Sequence, residues 1–225
     1  MTGMTGIQAD SQPSTTDKLQ DLLDWARNNS TLWMVATGVL VAGVLVYLFV
    51  GRLRLNTNNS AERALNSAKQ SLSSGNLPLA QSDLEKVYSR YGSTPAGVEA
   101  ALLIAGLDYD AGKVQDGVSI LQKAAGTGAA ANQQSTILAL EGDGYAQMKK
   151  LGDAAKQYEA AAAATTFETE KAALRAKAAR TYQQAGDTAA AHKLWAALAT
   201  DPATATVAAE ARVRLGELTA QAAKP

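Results

Sequence analysis

The sequence predicts an all-α protein, with a single N-terminal transmembrane helix followed by an α-solenoid of four helix pairs and a C-terminal capping helix. Three observations carry this reading. Leu32 to Val50 is a run of nineteen residues without a charge. Beyond it, a pattern of small, glycine and large apolar residues returns four times at a spacing of 37 residues. Only twelve of the 225 residues are aromatic while alanine is abundant, most visibly from Ala160 to Ala164, a composition that lets helices approach closely.

Residues 1–15 are rich in Thr, Gly, Ser and Gln and have no apolar period, which predicts a disordered tail. Residues 16–29 predict a short amphipathic helix. Its Leu19, Leu22, Leu23 and Ala26 form one stripe opposite Lys18, Asp21 and Asp24, suited to the membrane surface, to a partner helix, or to a stiff extension of the anchor.

Residues 31–52 predict the transmembrane helix. At helical rise the uncharged run spans roughly 28 Å, close to the hydrocarbon thickness of a bilayer. Its eleven Leu, Val and Phe residues favour insertion by about 3 to 6 kcal/mol in sum. Trp33 and Tyr47 lie toward the two ends, where amphipathic rings prefer the headgroup level, and Arg52 and Arg54 stop the segment. The leader is acidic, with Asp10, Asp17, Asp21 and Asp24 against Lys18 and Arg27, and Gly51-Arg52-Leu53-Arg54 is no small-residue cleavage site. A signal peptide has the opposite features, so the segment reads as an uncleaved anchor.

Residues 56–225 predict the repeat domain. Gly75, Gly112, Lys149 and Gly186 are each 37 residues apart. Five positions on stand Ala80, Gly117, Ala154 and Ala191; nine on, Leu84, Leu121, Tyr158 and Trp195; twelve on, Val87, Ala124, Ala161 and Leu198. Seven positions before the turn stand Ala68, Ala105, Gly142 and Ala179, all small. Each unit therefore reads as helix, turn, helix. The first helices are expected at about 58–74, 95–111, 132–148 and 168–185, and the second at about 77–91, 114–125, 151–164 and 188–200. Ser93-Thr94-Pro95, Gly126-Thr127-Gly128 and Asp201-Pro202 supply breaks between units. A last helix, about 204–222, carries Val207, Ala211, Leu215 and Leu218 as a stripe that covers the end of the stack.

The order small residue, tyrosine, turn, alanine, aromatic, alanine is most complete in Gly142, Tyr145, Ala154, Tyr158 and Ala161. It resembles the tetratricopeptide repeat, with a period of 37 instead of the usual 34 or so. Ser71 and Asp108 stand where a tyrosine is usual and Lys149 replaces a turn glycine, departures that predict irregular units. Taken whole, the chain is similar to the YfgM-like family of ancillary subunits of the bacterial Sec translocon, on Asp17-Lys18-Leu19 through Trp25, Gly112-Lys113, and Arg212-Val213-Arg214-Leu215-Gly216. That resemblance implies a bacterial inner-membrane protein whose repeat domain faces the periplasm and meets chaperones and exported chains. The same architecture also suits an accessory subunit of another multisubunit inner-membrane complex, respiratory, photosynthetic or secretory.

Catalytic chemistry finds no constellation to carry it. Cysteine is absent, His192 is the only histidine, and no cofactor or metal is expected. Gly106 and Gly112-Lys113 fail as a phosphate loop, because five residues separate the glycines and Val114 replaces the hydroxyl residue. The pairs Asp108 with Asp110 and Glu141 with Asp143 sit at i and i+2 and read as solvated charges. Lys plus Arg equals Asp plus Glu at 21 each, and scattered basic residues without an aromatic platform speak against nucleic acid.

Binding is the natural use of stacked helix pairs, whose first helices line a groove. By repeat geometry the groove-facing positions are Lys69, Leu72, Tyr109, Asp143, Gln147, Arg180 and Gln184, a polar mixture without a carboxylate clamp. The expected partners are the lipid bilayer, other membrane-protein subunits, and chaperones or exported chains. Gly38 and Ala42, four apart in the anchor, form a small pair that permits contact with a neighbouring membrane helix. For orientation, Lys18 and Arg27 precede the anchor while Arg52, Arg54, Arg63 and Lys69 follow it. This count favours a cytoplasmic repeat domain, whereas the family resemblance favours the periplasm.

Overall fold

The computed structural model describes residues 30–200 and 205–222, together with positions 20 and 25. The expected tail and nearly all of the expected amphipathic helix lie outside them. The described elements are helical throughout: α1 (Ser30–Ser73), α2 (Leu77–Tyr91), α3 (Pro95–Asp110), α4 (Val114–Ala125), a 3₁₀ segment (Gly128–Gln133), α5 (Gln134–Gln147), α6 (Leu151–Ala164), α7 (Glu168–Ala185), α8 (Thr188–Thr200) and α9 (Ala205–Ala222). The chain divides between Leu55 and Asn56 into an N-terminal unit and a helical stack.

In the N-terminal unit, α1 is the one helix among the described residues that is long and apolar enough to cross a membrane. Val35, Val39, Leu40, Leu45, Leu48 and Phe49 are all exposed, so no protein core claims them. The sequence reading separates this segment from a first repeat helix beginning near residue 58. The helix instead continues to Ser73. Residues 51–57 contain no proline, and Gly51, Asn56 and Thr57 each cost a helix only about 0.5 to 1 kcal/mol.

The four turns of the stack share one geometry. Gly75, Gly112 and Gly186 have φ of 78°, 76° and 81°, and Lys149 joins them at 61°. At each turn the left-handed residue donates its N–H to the carbonyl three residues back, and the next residue donates to the one five back. Gly75 with Asn76, Gly112 with Lys113, Lys149 with Lys150, and Gly186 with Asp187 all repeat this pair of bonds at 2.7–3.1 Å. This is the Schellman closure of a helix C-terminus, and it reverses the chain within three residues. The expectation that Lys149 makes its unit irregular is corrected: the lysine adopts the glycine conformation, and only Lys149 does so among the described non-glycine residues.

Every residue of the four packing columns is buried. Leu84, Leu121, Tyr158 and Trp195 fill the space between helices, while Ala68, Ala105 and Ala179 mark the close approaches. At the fourth small position, Gly142, a methyl would come within 2.5 Å of the Tyr158 ring. Thr94 caps α3, its hydroxyl accepting from the Gly97 N–H at 3.1 Å, with Pro95 at the first helical position. Unit three opens with the 3₁₀ segment, so α5 starts at Gln134, two residues later than expected. Along α9, Val207, Ala211, Leu215 and Leu218 pack with Trp195 and Leu198 and close the stack.

Lys149 adopts a backbone conformation that disfavours residues bearing a Cβ by about 1 to 2 kcal/mol. Lys149→Gly is therefore expected to raise stability by about 0.5 to 1 kcal/mol, and Gly112→Ala to lower it by about 1 kcal/mol. Denaturant unfolding of the detergent-solubilised chain checks both; a destabilising Lys149→Gly would contradict the turn account.

Candidate protein-binding site

The residues expected to face a groove belong to the first helices α1, α3, α5 and α7, and the structure sorts them into two groups. Four are committed to neighbouring helices. Lys69 Nζ on α1 donates to Glu99 Oε1 on α3 at 2.5 Å. Tyr109 on α3 donates its hydroxyl to the Leu140 carbonyl on α5 at 3.0 Å. Asp143 on α5 accepts from Lys177 Nζ on α7 at 2.5 Å and from the Tyr158 hydroxyl at 2.6 Å. Arg180 on α7 holds Glu210 on α9 with two bonds, at 2.7 and 2.6 Å. Each interface between successive first helices, and that with the capping helix, thus carries at least one polar tie.

The other group is exposed or half-buried. Gln147 and Gln184 are exposed and stand 37 residues apart, in one column with the exposed Asp110 and Ser73. Leu72 is half-buried. The exposed row available to a partner is therefore polar and largely uncharged, because the charges beside it are neutralised between helices. Such partly exposed pairs contribute little to stability singly, and the bidentate Arg180–Glu210 pair is the strongest of them by geometry. The Arg180 guanidinium holds the Glu210 carboxyl below its usual range, with Arg214 adding to the effect.

Tyr109 corrects the sequence expectation. It does not face a groove; only 8% of it is exposed. A methyl at Gly117 would come within 2.5 Å of its ring, and one at Gly144 would meet its hydroxyl at the same distance, so the ring occupies the space that two missing side chains leave. Burial first, then Asp143 and Glu141, push the Tyr109 hydroxyl well above the usual tyrosine range. It is a wedge and a hydrogen-bond donor, not a contact for a ligand.

Two carboxylates expected to be solvated are also buried. Asp108 accepts from Gln81 Nε2 at 3.0 Å, and Glu141 is 4% exposed. Glu141 falls in the column of Ile104 and Ala178, both buried, so the helical phase turns it inward while Asp143 stays half-exposed. Burial raises its pKa. His192 is exposed on α8, and no group of metal-ligating side chains occurs among the described residues. In the anchor, Gly38 and Ala42 are exposed and a methyl on Gly38 would meet nothing within 4 Å.

Sequence reasoning missed the partners of the ties. The signal was present: Lys69 to Glu99 and Arg180 to Glu210 are each 30 residues apart, one repeat less two helical turns, and each couples opposite charges. No family model matches the chain, and no curated protein matches it in sequence. Among solved structures the chain is similar to a tetratricopeptide repeat protein from Parabacteroides merdae, with a TM-score of 0.57 and 13% identity over 72% of this chain and 61% of that one. It thus spans less than two thirds of that protein. The MamA protein follows with a TM-score of 0.51 and 16% identity over 71% and 86% of the two chains. A Podosopora anserina putative kinesin light chain with nearly identical TPR-like repeats has a TM-score of 0.50 and 16% identity over 73% and 97%. The helical stack has a tetratricopeptide-like fold.

Two substitutions check this geometry. Gly144→Ala crowds the Tyr109 ring and should lower stability by about 1 to 3 kcal/mol, read as a shifted denaturant midpoint. Glu141 has its folded pKa raised above the ordinary 4.5, so the folded state holds its proton more tightly and stability falls as pH rises through that range. Glu141→Gln is expected to be the more stable protein at pH 7, with the advantage vanishing at low pH where both are neutral; a Gln variant weaker at pH 7 would contradict the assignment.

Proposed function

We propose that this chain is a non-catalytic, membrane-anchored scaffold that binds protein partners along its first helices, as an ancillary subunit of the bacterial Sec translocon that links it to chaperones. The observation that carries the scaffold reading is the combination in one chain of an uncovered apolar helix and a tetratricopeptide-like stack. The translocon assignment rests on the resemblance of the leader, the second repeat and the last helix to the YfgM-like family. On this reading the anchor crosses the inner membrane, the repeat domain lies in the periplasm, and Gln147, Gln184 and Leu72 meet the partner. Gly38 and Ala42 then offer the anchor's close-contact face to another membrane helix.

The second reading keeps the architecture and changes the complex: an accessory subunit of another inner-membrane assembly. One observation favours it. Four basic residues follow the anchor against two before it, the distribution of a cytoplasmic repeat domain.

Extraction in mild detergent followed by mass spectrometry of co-purifying proteins separates the readings. Sec components are expected; their absence, with a different membrane complex in their place, selects the second reading, and purification of the chain alone overturns both. In spheroplasts, added protease is expected to digest the repeat domain, and protection would place it in the cytoplasm.

A further inference from the structure

The linker between α6 and α7 and the opening of α5 enclose a cavity of about 460 Å³, lined among others by Asn132, Ser135, Ala164, Thr165, Phe167 and Glu170. Its centre is a positioned carboxylate. Ser135 Oγ donates to Glu170 Oε1 at 3.0 Å, and Thr165 Oγ1 donates to Glu170 Oε2 at 2.5 Å. Thr165 is itself buried, 8% exposed, and its hydroxyl also accepts from the Phe167 N–H at 3.2 Å. Both carboxylate oxygens are thereby fixed, yet each retains acceptor capacity. No lysine or arginine among the described residues forms an ion pair with Glu170; the adjacent Lys171 is paired with Glu168 at 2.6 Å. On the same cavity stands Phe167, a large aromatic left 70% exposed.

A partly enclosed negative charge held by two hydroxyls, an aromatic face beside it, and Ala131 and Ala164 in an otherwise hydroxyl- and amide-bearing wall are complementary to an alkyl chain ending in a cation. The ring attracts the cation through its quadrupole, the carboxylate through charge, and the alanines accept methylenes. We propose that this cavity binds a lysine side chain of a protein partner, with the ammonium on Glu170 and the butyl chain along Phe167 and Ala164. The site lies on the linker edge of units three and four, apart from the exposed row of Gln147 and Gln184. It rests on the scaffold reading only in assigning the lysine to a protein.

The chain supplies its own probe, because it has two phenylalanines, Phe49 in the apolar run and Phe167 at the cavity. Full-length protein labelled with 4-fluorophenylalanine and held in nanodiscs gives one fluorine resonance for each. Titration with Nα-acetyl-lysine methylamide is expected to shift the Phe167 resonance saturably and leave Phe49 in place. The norleucine counterpart, with the same chain and no charge, should produce no shift. Glu170→Gln should weaken binding by about tenfold or more, as expected for loss of a charge-assisted contact, whereas Glu168→Gln should not. Equal shifts with norleucine, undiminished binding by Glu170→Gln, or no saturable shift at all would each overturn the proposal. Tighter binding of cadaverine than of the capped lysine would overturn the protein assignment. The norleucine comparison uses the unaltered chain, so the test survives a variant that fails to fold, and a failure here leaves the co-purification result unaffected.

Discussion

The stack depends on how each first helix ends. A helix leaves its last carbonyls without partners, and here two of them are satisfied by the same pair of backbone bonds at all four turns. That closure requires one residue in the left-handed region and sends the second helix back along the first with a fixed offset. The fixed offset brings Leu84, Leu121, Tyr158 and Trp195 to equivalent places in successive units, where they are buried. A lysine at the third turn shows that the geometry is imposed by the packing on both sides and not merely permitted by glycine.

Packing within and between units follows from size complementarity. Alanine or glycine where helices cross leaves room for one large ring from the neighbour, as Tyr158 against Gly142 and Tyr109 against Gly117 and Gly144. The rings carry polar tips that need partners once buried, and these tips find them on Asp143 and the Leu140 carbonyl. The Tyr158 bond stays within unit three, whereas the Tyr109 bond and the Lys69–Glu99 and Lys177–Asp143 pairs tie each unit to the next, and Arg180–Glu210 ties the last to the capping helix. Lys69, Asp143, Lys177 and Arg180 on the first helices are thereby engaged within the stack, and the exposed column beside them, Ser73, Asp110, Gln147 and Gln184, carries one charge.

What was legible in the sequence is what repeats. The turn column, the four packing columns, the Thr94–Pro95 start of α3 and the α9 stripe all appear in the structure because each depends on residues close in sequence or on a strict 37-residue period. What was not legible depends on single contacts across units. Tyr109 sits where repeat geometry suggests a groove contact, but glycines eight and 35 residues away open a hole for it. Glu141 and Asp108 look like surface charges until the helical phase of each unit is known. The Glu170 cavity lies at the linker Thr165-Thr166-Phe167, whose place the repeat spacing gave, but the hydroxyls that meet at Glu170 come from positions 5 and 35 residues away and leave no pattern in the sequence.

The proposed scaffold rests on an apolar helix without protein cover and a tetratricopeptide-like stack in one chain. The central claim is that the exposed first-helix row carries the partner. Photo-crosslinking in native membranes tests it most directly, with benzoylphenylalanine placed at Gln147 and Gln184 on the first helices and at the exposed Lys156 and Lys193 on the second. The account predicts a discrete protein adduct from the first pair and none from the second; adducts confined to Lys156 and Lys193 would contradict it.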